Sequence, residues 1–224
     1  MDFGMHNART TASERARGFT LVEMMIVVTI IMILTMYALP NVMGAMKTQP
    51  IKAATNAVMD TFLFAKMGAA NDFNAYGVLV DPTSGGGQGS LQVFEGTSPA
   101  CSSIDFATGT PVRTLDFGSA DRGVDFGQDD ADIRIIQLIP STVQRLCFTP
   151  SGRMVDATTN KPVPSQDSHY GAGDYIISIS RFDAVTGVAV GLVHHVIVPY
   201  SGRARFTYGA DKDSADTAAG EGGS

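Results

Sequence analysis

Gly18-Phe19-Thr20-Leu21-Val22-Glu23, together with the apolar run Met24 to Leu39 behind it, decides how the rest of the chain is read. From Phe19 to Leu39 the residues are overwhelmingly Met, Ile, Val, Leu, Phe and Thr. A helix of them, at about 1.5 Å per residue, spans roughly 30 Å, the thickness of a bilayer's hydrocarbon core. Its one ionisable side chain is Glu23, a helical turn from Phe19. A carboxylate at membrane depth costs about 3 kcal/mol on insertion scales unless something neutralises it, so Glu23 calls for a partner. Just upstream, Arg15-Ala16-Arg17-Gly18 is basic and ends in a glycine, where a protease can approach the backbone. A cut after Gly18 would leave a positive α-amine on Phe19. Positive residues precede the run and none follows it until Lys47, which by the positive-inside rule leaves the amino terminus in the cytoplasm and the remainder outside. An uncleaved anchor with Glu23 near the membrane surface is the plainer alternative. A secretory signal peptide fits less well, because the run is long and no small-x-small site closes it.

The order of basic leader, Gly-Phe, Thr-Leu-Val and Glu resembles the class III signal of type IV pilins and type II secretion pseudopilins. The resemblance implies cleavage by a prepilin peptidase between Gly18 and Phe19, N-methylation of Phe19, and pairing of Glu23 with the terminal amine of a neighbouring subunit during assembly. It also implies a single-pass inner-membrane protein with a periplasmic globular part, assembled with other pilins or pseudopilins. Elementary electrostatics agrees, since a buried amine and a buried carboxylate neutralise each other only when both are brought together.

The chain has 224 residues and a formal charge of −6. Removing the leader 1–18 takes away three arginines against two acids and leaves the remainder one unit more negative. Such a balance supplies no whole-protein attraction to nucleic acid, so any such binding would be local. The two cysteines, Cys101 and Cys147, both fall in the extracytoplasmic part, where a disulfide persists. They either form that one bond or stand as two buried, reduced thiols.

Beyond the anchor, Pro40, Gly44 and Pro50 interrupt a helical pattern and predict a kinked or locally unwound stretch, with Thr48 placed to cap a restart. From Ile51 the three- and four-residue steps of Ala54, Val58, Phe62, Ala65 and Ala69 predict an amphipathic helix with a narrow, small-residue stripe. Short strands follow: Tyr76 to Val80, Leu91 to Phe94, Val112 to Phe117, Asp132 to Ile139, Gln144 to Phe148, Tyr175 to Arg181 and Leu192 to Pro199. The glycine-rich stretch Asp81 to Gly89 reads as a long, flexible hairpin tip, since it lacks the Gly-Lys-Ser/Thr ending of a phosphate loop and leads into a strand. The segment from Asp156 to Gly173 reads as a long loop. Strands without intervening helices predict antiparallel sheets. The expected fold class is α+β. A leader (1–18), a transmembrane segment (19–39) and a kinked amphipathic helix extension (40–72) precede a β domain of two antiparallel sheets (73–208) and a disordered acidic tail (209–224).

Two further stretches narrow the resemblance. Cys147-Phe148-Thr149-Pro150-Ser151-Gly152-Arg153 looks like a strand-turn of the GspH/FimT group of minor pilins, and Ser201-Gly202-Arg203-Ala204-Arg205 resembles their closing segment. In a strand Arg203 and Arg205 share a face, and two guanidinium groups so placed can hold a phosphate backbone. The FimT branch implies DNA capture there. The competing reading is that both satisfy carboxylates or carbonyls at the sheet edge. His169, His194 and His195 do not form a ligand set, since adjacent residues in a strand point to opposite faces. Ser151 lacks the Gly-x-Ser-x-Gly context of a nucleophile elbow. The expectation is therefore a non-catalytic minor pilin or pseudopilin without metal or cofactor, with DNA as an alternative partner.

Overall fold

The computed structural model describes residues 20–118, 131–164, 173–183 and 185–209, the side chains of 38–48 and of Ala131 excepted. The leader 1–18, Phe19, His169 and residues 210–224 lie outside the described residues.

Helix α1 (Leu21–Asp72) begins where Thr20 caps it. Its Oγ1 accepts the Glu23 N–H at 3.2 Å and its carbonyl accepts the Met24 N–H at 3.2 Å, so two of the orphan donors of the first turn are satisfied. Pro40 and Pro50 both fall within the assigned helix. The chain divides into two units, Met1–Met46 and Lys47–Ser224.

In the first unit the side chains from Leu21 to Tyr37 are exposed on every side of the helix. Leu21, Met36 and Tyr37 are each more than three-quarters open. Thr29 donates its hydroxyl to the Met25 carbonyl at 2.7 Å, and Thr35 donates to Ile31 and Met32 at 3.0 and 2.9 Å. The hydroxyls of this apolar segment are thus satisfied by its own backbone. Among the described residues no helix is long and apolar enough to cross a membrane. Leu21 to Tyr37 covers only about 26 Å, and the remaining side chains of the expected span are not described.

In the second unit the stripe Ala54, Val58, Phe62, Ala65 and Ala69 is fully buried. It shares one core with the inner faces of two antiparallel sheets. The five-stranded sheet has the order β3-β2-β1-β5-β6, built from β1 (Tyr76–Asp81), β2 (Ser90–Glu95), β3 (Arg113–Asp116), β5 (Arg145–Phe148) and β6 (Met154–Asp156). The four-stranded sheet has the order β4-β7-β8-β9, built from β4 (Ala131–Ile139), β7 (Tyr175–Asp183), β8 (Ala189–Val198) and β9 (Arg205–Gly209). The fold is α+β, a helix followed by two antiparallel sheets. Strand alternation explains the inner face: Tyr76, Val78 and Val80 on β1, Tyr175, Ile177 and Ile179 on β7. On β4 a bulge between Ile135 and Gln137 resets the phase, so Ile133 and Ile135 are followed inward by Leu138 rather than by residue 137. Tyr175 donates its buried hydroxyl to the Val143 carbonyl at 2.9 Å.

A second cluster covers the outer face of the five-stranded sheet with Ala75, Phe94, Ile104, Val155 and the Cys101–Cys147 disulfide, whose Cα atoms are 5.8 Å apart. The polar connection after β2 is thereby fastened to the middle of the sheet. The glycine-rich tip after β1, expected to be open, closes as a compact turn. Asp81 accepts from the Thr83 N–H and hydroxyl, Gly85 and Gly86 take φ of 60° and 77°, and Gln88 passes its carbonyl to the Ile135 N–H of β4. Strand β6 was not read from the sequence; it ends at Asp156, where the stretch expected to be loop begins.

Phe62 packs its ring 6.2 Å from that of Phe148, so Phe62→Ala should cost about 3–5 kcal/mol, read as a lower denaturant midpoint of the full chain in detergent. Opening the disulfide, which closes a separation of 46 residues, through Cys101→Ser plus Cys147→Ser should remove up to about 4 kcal/mol by loop entropy. The same denaturation measured with and without reductant checks it.

Candidate functional site

Three places carry the residues singled out by the sequence. At the amino terminus Glu23 stands exposed in the first turn of α1. Its backbone N–H is used by the Thr20 cap, while its carboxylate has no hydrogen bond or ion pair among the described residues. Gly18 and Phe19, which the sequence reading pairs with it in function, lie outside the described residues.

The second place is the junction where the two glycine turns meet. Gly152, in the β5–β6 turn, has φ 76°, and Gly202, in the β8–β9 connection, has φ 68°, a region that L side chains rarely adopt. A Cβ on Gly202 would lie 2.8 Å from the Gly152 carbonyl oxygen, so the two turns approach as closely as they do because Gly202 lacks one. Lys66 of α1 donates to the Ser201 carbonyl at 2.8 Å, and the Met154 N–H donates to the Tyr200 carbonyl at 2.9 Å. Arg153 lies over the Tyr200 ring at 5.8 Å. The two motifs far apart in sequence are therefore one structural joint.

Arg203 and Arg205 leave this joint in a way the sequence reading did not anticipate. Only Arg205 belongs to β9; Arg203 precedes the strand. Both are exposed, and Ala204 packs against the core between them. Neither makes a hydrogen bond or an ion pair among the described residues, where the ion pair observed is Arg134 with Asp132. Among the described residues no carboxylate or carbonyl meets either guanidinium.

The third place is a groove of ≈ 690 Å³ bordered by Ile51, Lys52 and Thr55 on α1, Leu192 and His194 on β8, and Phe206 and Tyr208 on β9. His194 Nδ1 and Thr55 Oγ1 are 2.9 Å apart, and the Thr55 hydroxyl donates to the Ile51 carbonyl at 2.7 Å. The His194 ring lies parallel to that of Phe206 with centroids 6.4 Å apart. Burial pushes the His194 imidazole below the ordinary histidine value, and the charges of Lys52 and His195 act in the same direction. His195 faces away from His194 and meets Ser178 at 2.9 Å, deep in the other side of the sheet. The two histidines are thus separately engaged, and among the described residues no group of His, Cys, Asp and Glu could hold a metal ion. The sequence reading missed this groove. Its signal was the Phe206-x-Tyr208 alternation directly after the arginine pair.

Residues 14–39 match the prokaryotic N-terminal methylation motif. The chain has a type IV pilin-like amino terminus. Two crystal structures of the type IV minor pilin FimU of Pseudomonas aeruginosa (strain PAO1) are similar to this chain. One, in space group P21, shares 12% identity over 70% of this chain and 87% of that one, with a TM-score of 0.39. The other, in space group P65, shares 14% over 70% and 91%, with a TM-score of 0.38. No curated protein matches this chain.

The lowered basicity of His194 gives a signed prediction. A histidine held neutral in the fold supports stability above its unfolded value of about 6.5 and loses that support as pH falls towards the folded value. The unfolding free energy of the full chain should therefore drop between about pH 7 and pH 5, and the drop should be smaller in His194→Gln, measured by denaturant titration at each pH.

Proposed function

We propose that the chain is a non-catalytic minor pilin or pseudopilin of the GspH/FimT kind, a subunit of a type IV pilus or a type II secretion pseudopilus. It is processed after Gly18, N-methylated on Phe19, held in the inner membrane by its apolar helix with the globular part in the periplasm, and assembled beside other pilins. The observation that carries this reading is the state of Glu23. In a helical segment that is largely apolar, whose described threonine hydroxyls are satisfied internally, one carboxylate has no partner among the described residues. A second chain is the natural source of the missing positive charge. The methylation motif over residues 14–39 supports the amine of a processed Phe19 as that charge. The joint between the Gly152 and Gly202 turns supports the narrower group, because it uses both stretches that resemble it.

Capture of DNA through Arg203 and Arg205 is the second reading. In its favour both guanidinium groups are exposed and unpartnered among the described residues. Against it stands the formal charge of −6; Arg203 itself lies just before the strand.

Mass spectrometry of the chain from its native host should give a mature amino terminus at Phe19 carrying one extra methyl group. A chain that still begins at Met1 sinks the proposal. Glu23→Ala should still be processed and membrane-bound, yet fall in the sheared filament fraction by roughly a hundredfold, the equivalent of about 3 kcal/mol for the amine left unmatched.

A further inference from the structure

The two sheets end in four edge strands, β3, β6, β4 and β9. An open edge is a row of unpaired N–H and C=O groups, which proteins shorten, distort or cover. Three of the four are so treated. On β6 the Met154 N–H donates to Tyr200 and the Asp156 N–H to Lys161, both at 2.9 Å. On β4 the ladder is bulged after Ile135, and the Ile135 N–H is taken by the Gln88 carbonyl at 2.9 Å. Strand β3 is only four residues long. Strand β9 has none of these devices. It runs in unbroken register with β8, from Val193 opposite Gly209 to Ile197 opposite Arg205. Among the described residues its backbone makes no bond beyond that ladder.

The side chains on this edge are also left waiting. Phe206 and Tyr208 are 48% and 56% exposed and share the face that borders the groove with Ile51, Leu192 and His194. On the opposite face stands Arg205, with Arg203 just before the strand, both exposed and unpaired among the described residues. An added strand would place every second side chain over the groove beside two aromatic rings. The alternate ones would lie beside the arginines.

We propose that β9 is a docking edge for an extended segment of another polypeptide in which apolar and acidic residues alternate. Backbone hydrogen bonds to β9 supply affinity, the exposed rings of Phe206 and Tyr208 select the apolar side chains, and Arg205 with Arg203 selects the acidic ones. A peptide backbone is the ligand that matches an unpaired strand edge; a nucleic acid would use the arginines and leave the edge and the groove empty. This inference goes beyond the assembly role above and does not depend on it, because every residue in it belongs to the Lys47–Ser224 unit.

The test uses the full chain in detergent micelles and a labelled peptide of roughly ten residues alternating valine and glutamate, about the length of a long strand. Saturable binding is expected, with amide exchange of residues 205–209 slowed by about tenfold or more. The same peptide N-methylated at every second residue keeps its side chains but loses its donors, and should bind about tenfold more weakly or worse. Arg203→Glu plus Arg205→Glu should reject the glutamate peptide and accept a valine–lysine one, a rescue that a misfolded variant would not give. The proposal is overturned if the peptide leaves 205–209 unprotected, or if N-methylation has no effect. It also fails if an oligonucleotide binds to the arginines where the peptide does not, which would make this a nucleic-acid site. Protection of the same amides in the absence of peptide overturns it too: if it rises with protein concentration the occupant is a second copy, and if not it is another part of the same chain.

Discussion

The globular unit depends on how narrow one helix face is. Ala54, Val58, Phe62, Ala65 and Ala69 present almost nothing but methyl groups and a single ring, so the backbone of the helix can approach the inner faces of both sheets without leaving voids. Interiors pack as densely as organic crystals, and a stripe of larger residues would hold the sheets too far from the helix for Val78, Leu146 and Ile177 to fill the space between. The ring of Phe62 against Phe148 sits in the middle of this contact and couples helix to strand β5. The closing joint is the counterpart at the surface. There Lys66, one residue along from the buried Ala65, reaches the Ser201 carbonyl and fixes where the last strand begins.

Much of this was legible in the sequence, and the parts that were not fail for identifiable reasons. The helix stripe was readable because its three- and four-residue period is unbroken by a charged residue. The strands β1, β2, β4, β5, β7 and β8 were readable because each alternates, or is apolar throughout, between turn residues. Strand β6 has only three residues, Met154 to Asp156, too few for a period to show. The bulge in β4 moves one residue out of phase, a shift fixed by the partner strand and invisible along the chain. Arg203 looked strand-borne by proximity to Arg205, but the left-handed turn at Gly202 delays the strand by two residues. The groove depends on β8, β9 and the start of the buried helix face being brought together. No local pattern announces such a convergence.

The amino-terminal unit shows a different economy. Its threonines turn their hydroxyls back onto the helix, and its cap uses a side chain and a carbonyl already at hand. From Leu21 to Met36 the segment therefore offers surroundings little except apolar groups and one carboxylate. A solvent made of hydrocarbon, whether lipid tails or the sides of other helices, accepts that surface without leaving polar groups unsatisfied. This is why Glu23 dominates the functional reading.

A single proton at Thr55 has a further consequence. A hydroxyl has one hydrogen to give, and Thr55 spends it on the carbonyl of Ile51. Toward His194 it can only receive, so the imidazole must carry its hydrogen on Nδ1. The neutral ring is thereby held in one tautomer, with Nε2 as a bare lone pair. The N–H or O–H of a molecule settling against that ring would donate to this lone pair, and a second lone pair would be repelled by it. The polarity of this corner of the groove is written by a threonine one turn along the helix from Ile51.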